Sequence, residues 1–494
     1  MTTTGNNNIT GAGTLFVSDG KKLSLNSSIS GLGNLLLGNG STANFNQDGS
    51  LGTISFASDG ALSTVYIDGG KTFSGGITVG ENNEINGTGT LLLAGNASGV
   101  FGGSDDIEGT LKIGTGTASF VGDKTVANIG FVSGNGGTIN IVEGTTLTVD
   151  ANIATSGTNV LTGKGVLALK DGANAAFGAE IASLGTLSIG SGKATFNANA
   201  HIDAINFADG TGGEISVSSG KVLTLYSDFS TSGANILSGD GVLSFANGAN
   251  GTIGSVISSL GGIRIGSGTL NINETSNIGN VSYTDADGEI IIAASKTLSL
   301  SSDFVTNDRN KLTGDGTLAM KGGASAVFNA PLDFNGTITT ETGTLRFNHD
   351  GHAGTIKIGT AGVLDLDVSR VTASTVDLGT GSTLALRIAR NATNDEGNIT
   401  GSNIGVLQAN TVNVAGPSTL KITVDYGVVT AVNGTEFKFI EGTVNNADAL
   451  SVQNNRYRFE KASCDGGLCY NVFQTSNGSE AAGEGGGAQK KKEK

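Results

Sequence analysis

The sequence contains no tryptophan, two prolines, two methionines and two cysteines in 494 residues, and only 14% of its side chains are charged. Each scarcity removes a class. With proline nearly missing and no Gly-x-y triplet running through it, the chain is not collagenous. Two neighbouring cysteines are far too few for a small disulfide-dense secreted scaffold. A string of Ig-like sandwiches wants a buried Trp or paired Cys in each domain of about 100 residues, and this chain has no Trp. No apolar run approaches the length of a transmembrane helix. Basic residues gather only in the last five positions while the net charge is −15, so nucleic acid is not an expected partner. The opening MTTTGNNNITGAG has neither a charged n-region nor an apolar h-region. An exported form is therefore expected to have lost its signal already, with Met1 an added start.

What is abundant is glycine, at 81 of 494 residues, together with Thr, Ser, Asn, Val, Ile and Leu. Glycine and β-branched residues both cost helix stability. They suit short strands divided by tight turns, where glycine supplies positive φ without steric penalty. A 37% hydrophobic share, set in alternating runs, provides apolar faces to bury and argues against disorder.

Those runs recur at a measurable step. A motif of Ile or Leu, then Thr, Ser or Asn, then Gly-x-Gly-x-Leu, begins at Ile9, Ile85, Leu161, Leu237 and Leu312, successive positions differing by 76, 76, 76 and 75. The apolar runs ending at Leu37, Ile113, Ile189 and Ile265 keep the same step of 76. So do Leu147, Leu223 and Leu298, at 76 and 75. A half-copy, ISGLGNL, starts at Ile29. Each period holds three strand-rich stretches, which predicts coils of about 25 residues with three short strands each. Such a coil cannot bury its inner face alone, whereas stacking on neighbours makes a continuous core. Adjacent coils at about 4.8 Å would give a rod on the order of 85 Å for roughly 18 coils. Leu, Ile, Val, Phe and Ala are expected inside. Asn, Ser and Thr are expected at corners, bonded in ladders.

The step breaks after about residue 345, where VLDLDV at Val363 arrives early. Beyond 400 the strands read as longer, and the aromatics Tyr426, Phe437, Phe439, Tyr457, Phe459, Tyr470 and Phe473 concentrate there. A solenoid must hide its last open coil or the edge will pair with other chains. The predicted organisation is a parallel β-helix over 1–400, a C-terminal β cap over 401–474 and a flexible tail over 475–494. Cys464 and Cys469 flank Asp-Gly-Gly between two strands. A structural disulfide closing that hairpin is expected, stabilising modestly because the loop is short. The rival reading, half of a zinc site, has no neighbouring His to complete it.

Coils such as GGTINIVEGTTLTV and GTLSIGSGKATFN, followed by GTEFKFIEGTVNNADALSVQNNRYRFEKA, resemble the passenger domains of bacterial autotransporters, and within them the surface cell antigens of Rickettsia-like bacteria. The resemblance implies an all-β, right-handed parallel β-helix whose terminal region acts as an autochaperone during export. It also implies a location on the outside of the bacterial outer membrane and a membrane-embedded β-barrel translocator. No such barrel lies within these residues, which leaves a cleaved passenger, a fragment, or a solenoid of another exported class.

Parallel β-helices also carry enzymes acting on polysaccharides, so paired carboxylates need weighing. Asp285, Asp287 and Glu289 lie where a turn is expected between VSY and EIII, as do Asp105 and Asp106 near Ile107, and both sets read as solvated turns. DADGE also lacks the remaining ligands of a calcium loop. The motif aspartates Asp240 and Asp315 are replaced by Lys164, Thr88 and Ala12 in other copies, so that corner demands no ligand. His349-Asp350-Gly351-His352 reads as an exposed loop. Neither a Ser-His-Asp nor a Cys-His set is suggested. Asn-x-Ser/Thr triplets, as at Asn86 and Asn433, follow from composition. The expectation is a chain with no enzymatic activity, metal or cofactor. Its partner would be a host-cell surface receptor or a second copy of itself, and its role adhesion or self-association. A surface-layer coat protein and a polysaccharide-acting enzyme are the alternatives.

Overall fold

Alternation explains the local structure. In Thr117–Phe120 the side chains of Ala118 and Phe120 point inward and are fully buried, while Thr117 and Ser119 face out. This outward-inward pattern recurs in Thr146–Val149, Lys193–Phe196, Glu214–Val217 and Thr269–Ile272. Each fully buried Leu, Ile or Phe contributes about 1.5–3 kcal/mol. A computed structural model describes residues 1–5, 8–58, 60–103, 105–132, 136–208, 212–285, 287–307, 309–389, 403–425, 434–454 and 456–474. The tail 475–494, Tyr426 and Asn433 lie outside them. The regular structure of the described residues is nearly all strand, in stacked parallel coils that form a β-solenoid of about 19 turns. It divides into two units, 1–301 with 309–316, and 302–308 with 317–494.

Unit 1 holds the periodic sequence. A turn of it carries three inward-facing segments. From Ile153 these are Ile153 with Thr155, then Leu161, then Leu167 with Leu169, before Ala175 stacks on Ile153. The column continues from Ala175 to Ala194, Ile215 and Leu237. Each of these steps is shorter than the third of a period that the three strand-rich stretches suggested. Division by three fails because the period is not a whole number of coils. Gly163 heads a column through Leu184, Ile202, Leu225 and Phe245, so four turns carry the chain from 163 to 245. One block of the repeat stops a face short of that, at about three and two-thirds turns. Leu237, the equivalent of Leu161, accordingly sits in the column begun by Ile153 and not in that of Leu161. Equivalent residues of successive copies emerge on successive faces.

The Gly-x-Gly motif is a corner device. Its first glycine has positive φ in every copy: 133° at Gly11, 92° at Gly87, 112° at Gly163, 98° at Gly239 and 105° at Gly314. At Gly163 a Cβ would overlap the Ile141 carbonyl of the coil beneath, and the register of the flanking strands shifts there, between Gly163 and Val166. The chain thus turns the corner through a bulge that only glycine can occupy. Inside, aromatic rings stack from coil to coil, with Phe101 and Phe120 5.1 Å apart and Phe177 and Phe196 also 5.1 Å. At corners, amides bond along the stack, as Asn46 Nδ2 donates to Asn26 Oδ1 at 2.6 Å.

Unit 2 stacks in the same parallel sense without the period. Thr317, Thr337, Thr355, Thr375, Thr411 and Thr443 lie in register on successive strands, an outward ladder of six threonines. Beside it Asn445 donates to Asn413, which donates to Asp377, each at 2.8 Å. Parallel stacking passes residue 400 and continues through Thr435–Asn445 and Leu450–Gln453. Among the described strands, direction changes in Tyr457–Ala462 and Gly467–Gln474, which pair antiparallel with each other, the latter also with Thr435–Asn445. The outer strand Tyr457–Ala462 carries Arg458, Glu460 and Lys461, charges that discourage further edge pairing.

Candidate functional site

Cys464 and Cys469 are joined by a disulfide, with Cα atoms 6.1 Å apart. Gly466 at φ 58° and Gly467 at φ 155° form the turn between them, and Lys438 Nζ donates to the Asp465 carbonyl at 2.6 Å. The bond closes the turn of the antiparallel pair, where Ala462 lies opposite Cys469. Neither sulfur is a free thiol.

The acidic residues singled out from sequence do not converge. Asp287 pairs with Arg309 at 3.1 Å, Glu289 accepts from the Thr313 hydroxyl at 2.9 Å, and Asp285 accepts from Asn247 Nδ2 at 3.2 Å. Asp106 accepts the Thr125 amide at 3.2 Å. Asp105 and Asp106 face Lys124, an inward lysine only 4% exposed. Burial lowers the Lys124 pKa, and the two aspartates partly offset that effect. Asp350 caps the Arg370 amide at 2.7 Å, while His352 Nδ1 lies 3.0 Å from the Thr372 hydroxyl. Among the described residues no group of three His, Cys, Asp or Glu side chains is placed to hold a metal ion. Asp240 and Asp315 sit exposed at the tips of their Gly-x-Gly corners.

Sequence reasoning passed over a residue that the period marks plainly. Asn83, Asn159, Asn235 and Asn310 stand two places before successive copies of the motif, and all four are buried. Asn159 Oδ1 accepts the Ser156 amide at 2.8 Å, and Asn235 Oδ1 the Ser232 amide at 2.9 Å, each pinning the turn that leads into the glycine corner. The threonine ladder of unit 2 was also missed. Its members are unevenly spaced in sequence, so only the coil register reveals it.

Unit 2 carries the most developed surface chemistry. Arg387 bridges Asp425, at 2.7 and 2.8 Å, and Asp367, at 3.5 Å, and the bond to Asp425 is the main reason its pKa is raised. Arg370 reaches Gln408 at 3.1 Å and Glu441 at 2.9 Å across two coils. Beside this pair lies a groove of about 620 Å³, lined by His352, Thr372, Ser374, Gln408, Asn410 and Thr443 over the backbone of Ala373 and Ala409, whose side chains face the core. In unit 1 the comparable surface is a set of Thr, Ser and Asn columns, as where Thr72, Thr90 and Thr110 align. No protein-family model matches the chain, and no curated protein matches it.

Proposed function

We propose that the chain is an autotransporter-type passenger, displayed on the outside of a bacterial outer membrane, where it mediates adhesion to host cells or association with copies of itself. One observation carries the reading. The coils convert an irregular sequence into straight outward columns of hydroxyl and amide groups, of which the six-threonine ladder is the longest described. Regularly spaced weak donors and acceptors suit a partner engaged through many contacts, each of little strength alone. The composition of the coils and the aromatic terminal region support the passenger assignment by resemblance. On this reading the antiparallel strands at 457–474 are a cap, occupying the edge that Thr435–Asn445 would otherwise leave open.

The test uses the purified chain. Saturable binding to host-cell surfaces, or concentration-dependent association in sedimentation, is the expected result. A monomer that binds no cell and cleaves polysaccharide would overturn the proposal. Export is checked separately by fusing the chain ahead of an autotransporter β-barrel and assaying protease-accessible display on intact bacteria.

A further inference from the structure

We propose that the groove of unit 2 binds a neutral oligosaccharide. Its volume of about 620 Å³ lies within the range of small-ligand sites, roughly 300–1,000 Å³. Its walls supply hydroxyls, amides and one imidazole. Ser374, Asn410 and Thr443 are exposed into it, and no hydrogen bond among the described residues occupies their side chains. The single carboxylate of the lining, Glu441, is held by Arg370 at 2.9 Å, so the groove has no uncompensated charge to attract an ionic ligand. The floor is strand backbone, since Ala373 and Ala409 continue the inward column of Ala353 and turn their methyls to the core, so a ligand there meets peptide groups and the hydroxyls and amides of the walls. Gly466 lines the groove with open space where a side chain would stand, while Gly442 lets its strand approach the Ala409 carbonyl of the neighbouring coil. A peptide fits less well. The backbone of Gly351–Ile358, Arg370–Leu378 and Val406–Val414 is committed to ladders on both sides, and only the short stretch Thr443–Asn445 is paired on one side alone.

This names a partner class for the display role and rests on that role only for its biology, since the groove can be tested on the isolated protein. The experiment titrates the full chain with uncharged cello-, chito-, malto- and manno-oligosaccharides by saturation-transfer NMR and calorimetry. A polygalacturonate oligomer and a Gly-Ser peptide serve as comparators. At least one neutral oligosaccharide should bind saturably. Ser374→Trp, which fills the groove, should weaken it by about tenfold or more, and Ala12→Trp at an exposed corner of unit 1 should not. If Ser374→Trp does not fold, the triple variant S374A/N410A/T443A replaces it with the same expectation. Failure of every neutral sugar, binding of the peptide alone, or binding untouched by these variants would overturn the site. Parallel adhesion assays separate the two readings. Sugar binding with neither cell adhesion nor self-association leaves the groove standing and overturns the display role. Adhesion that persists with no sugar bound does the reverse.

Discussion

Unit 1 and unit 2 build the same kind of coil, but only in unit 1 do the corner devices recur at a fixed step. In unit 1 the corners are set by backbone demands: a glycine at positive φ, a bulge, and a buried asparagine ahead of it. Those demands repeat, so the sequence repeats. In unit 2 no such step recurs. Side chains cross between its coils, as Arg387 to Asp367 and Asp425, Arg370 to Glu441, and Arg346 to Asp365 at 3.7 Å, but Lys170 to Asp150 and Lys193 to Glu214 do the same in unit 1. Charged partners can be exchanged without altering the backbone, so they impose no period. A shared fold can therefore be conspicuous in one stretch of sequence and silent in the next.

The sharpest way to break this contrast is at a motif glycine. Gly163→Val forces a β-branched residue into φ 112° against the Ile141 carbonyl, and should cost about 3 kcal/mol or more in denaturant unfolding. The neighbouring Lys164→Asp, at the exposed tip, should shift stability by less than about 0.5 kcal/mol. Equal effects would show that the repeat is not kept by backbone geometry. Reducing the Cys464–Cys469 bond comes next. The loop is so short that chain entropy predicts only about 2 kcal/mol, confined to the antiparallel pair. Hydrogen exchange should quicken in 457–474 and stay unchanged in the coils of unit 1.

Lys124→Met removes a desolvated charge from the interior of unit 1 and should stabilise by about 1 kcal/mol, read as a raised unfolding midpoint. Arg387→Met in unit 2 should destabilise by no more than about 1 kcal/mol, because the network is part-exposed. That loss should shrink as salt is added, whereas the Gly163 effect should not. The smallest effect concerns acid. Burial pushes the Glu214 carboxyl up, but its bonds to Lys193 and Ser238 outweigh that and hold it below the usual carboxylate range. A carboxylate depressed in the folded state adds stability above its unfolded pKa and loses it as pH falls through the folded value. Glu214→Gln should flatten the acid limb of the melting curve slightly, and an unchanged limb would count against the ion pair.

The inner face was legible from sequence because burial imposes alternation: Ala118, Phe120, Leu147 and Leu187 could be assigned inward by period alone. Coil length was not, since the period and the coil are incommensurate and only pairing reveals the remainder. The cysteine pair stood out by proximity. The groove of unit 2 did not. His352, Ser374, Asn410 and Thr443 come from four successive coils of unequal length, so no regular spacing in the chain announces them.

The mismatch between block and coil also limits how such a chain can change length. Starting at Ile9, three blocks pass before a motif returns to its original column, at Leu237. Slipped recombination that deleted or duplicated a single block would leave the core seamless, since every junction still matches. Yet within unit 1 all residues past the join would be re-aimed by a third of a rotation. Only gains or losses in threes would preserve what each side presents, so drift in copy number would reshuffle the exterior far more readily than the interior.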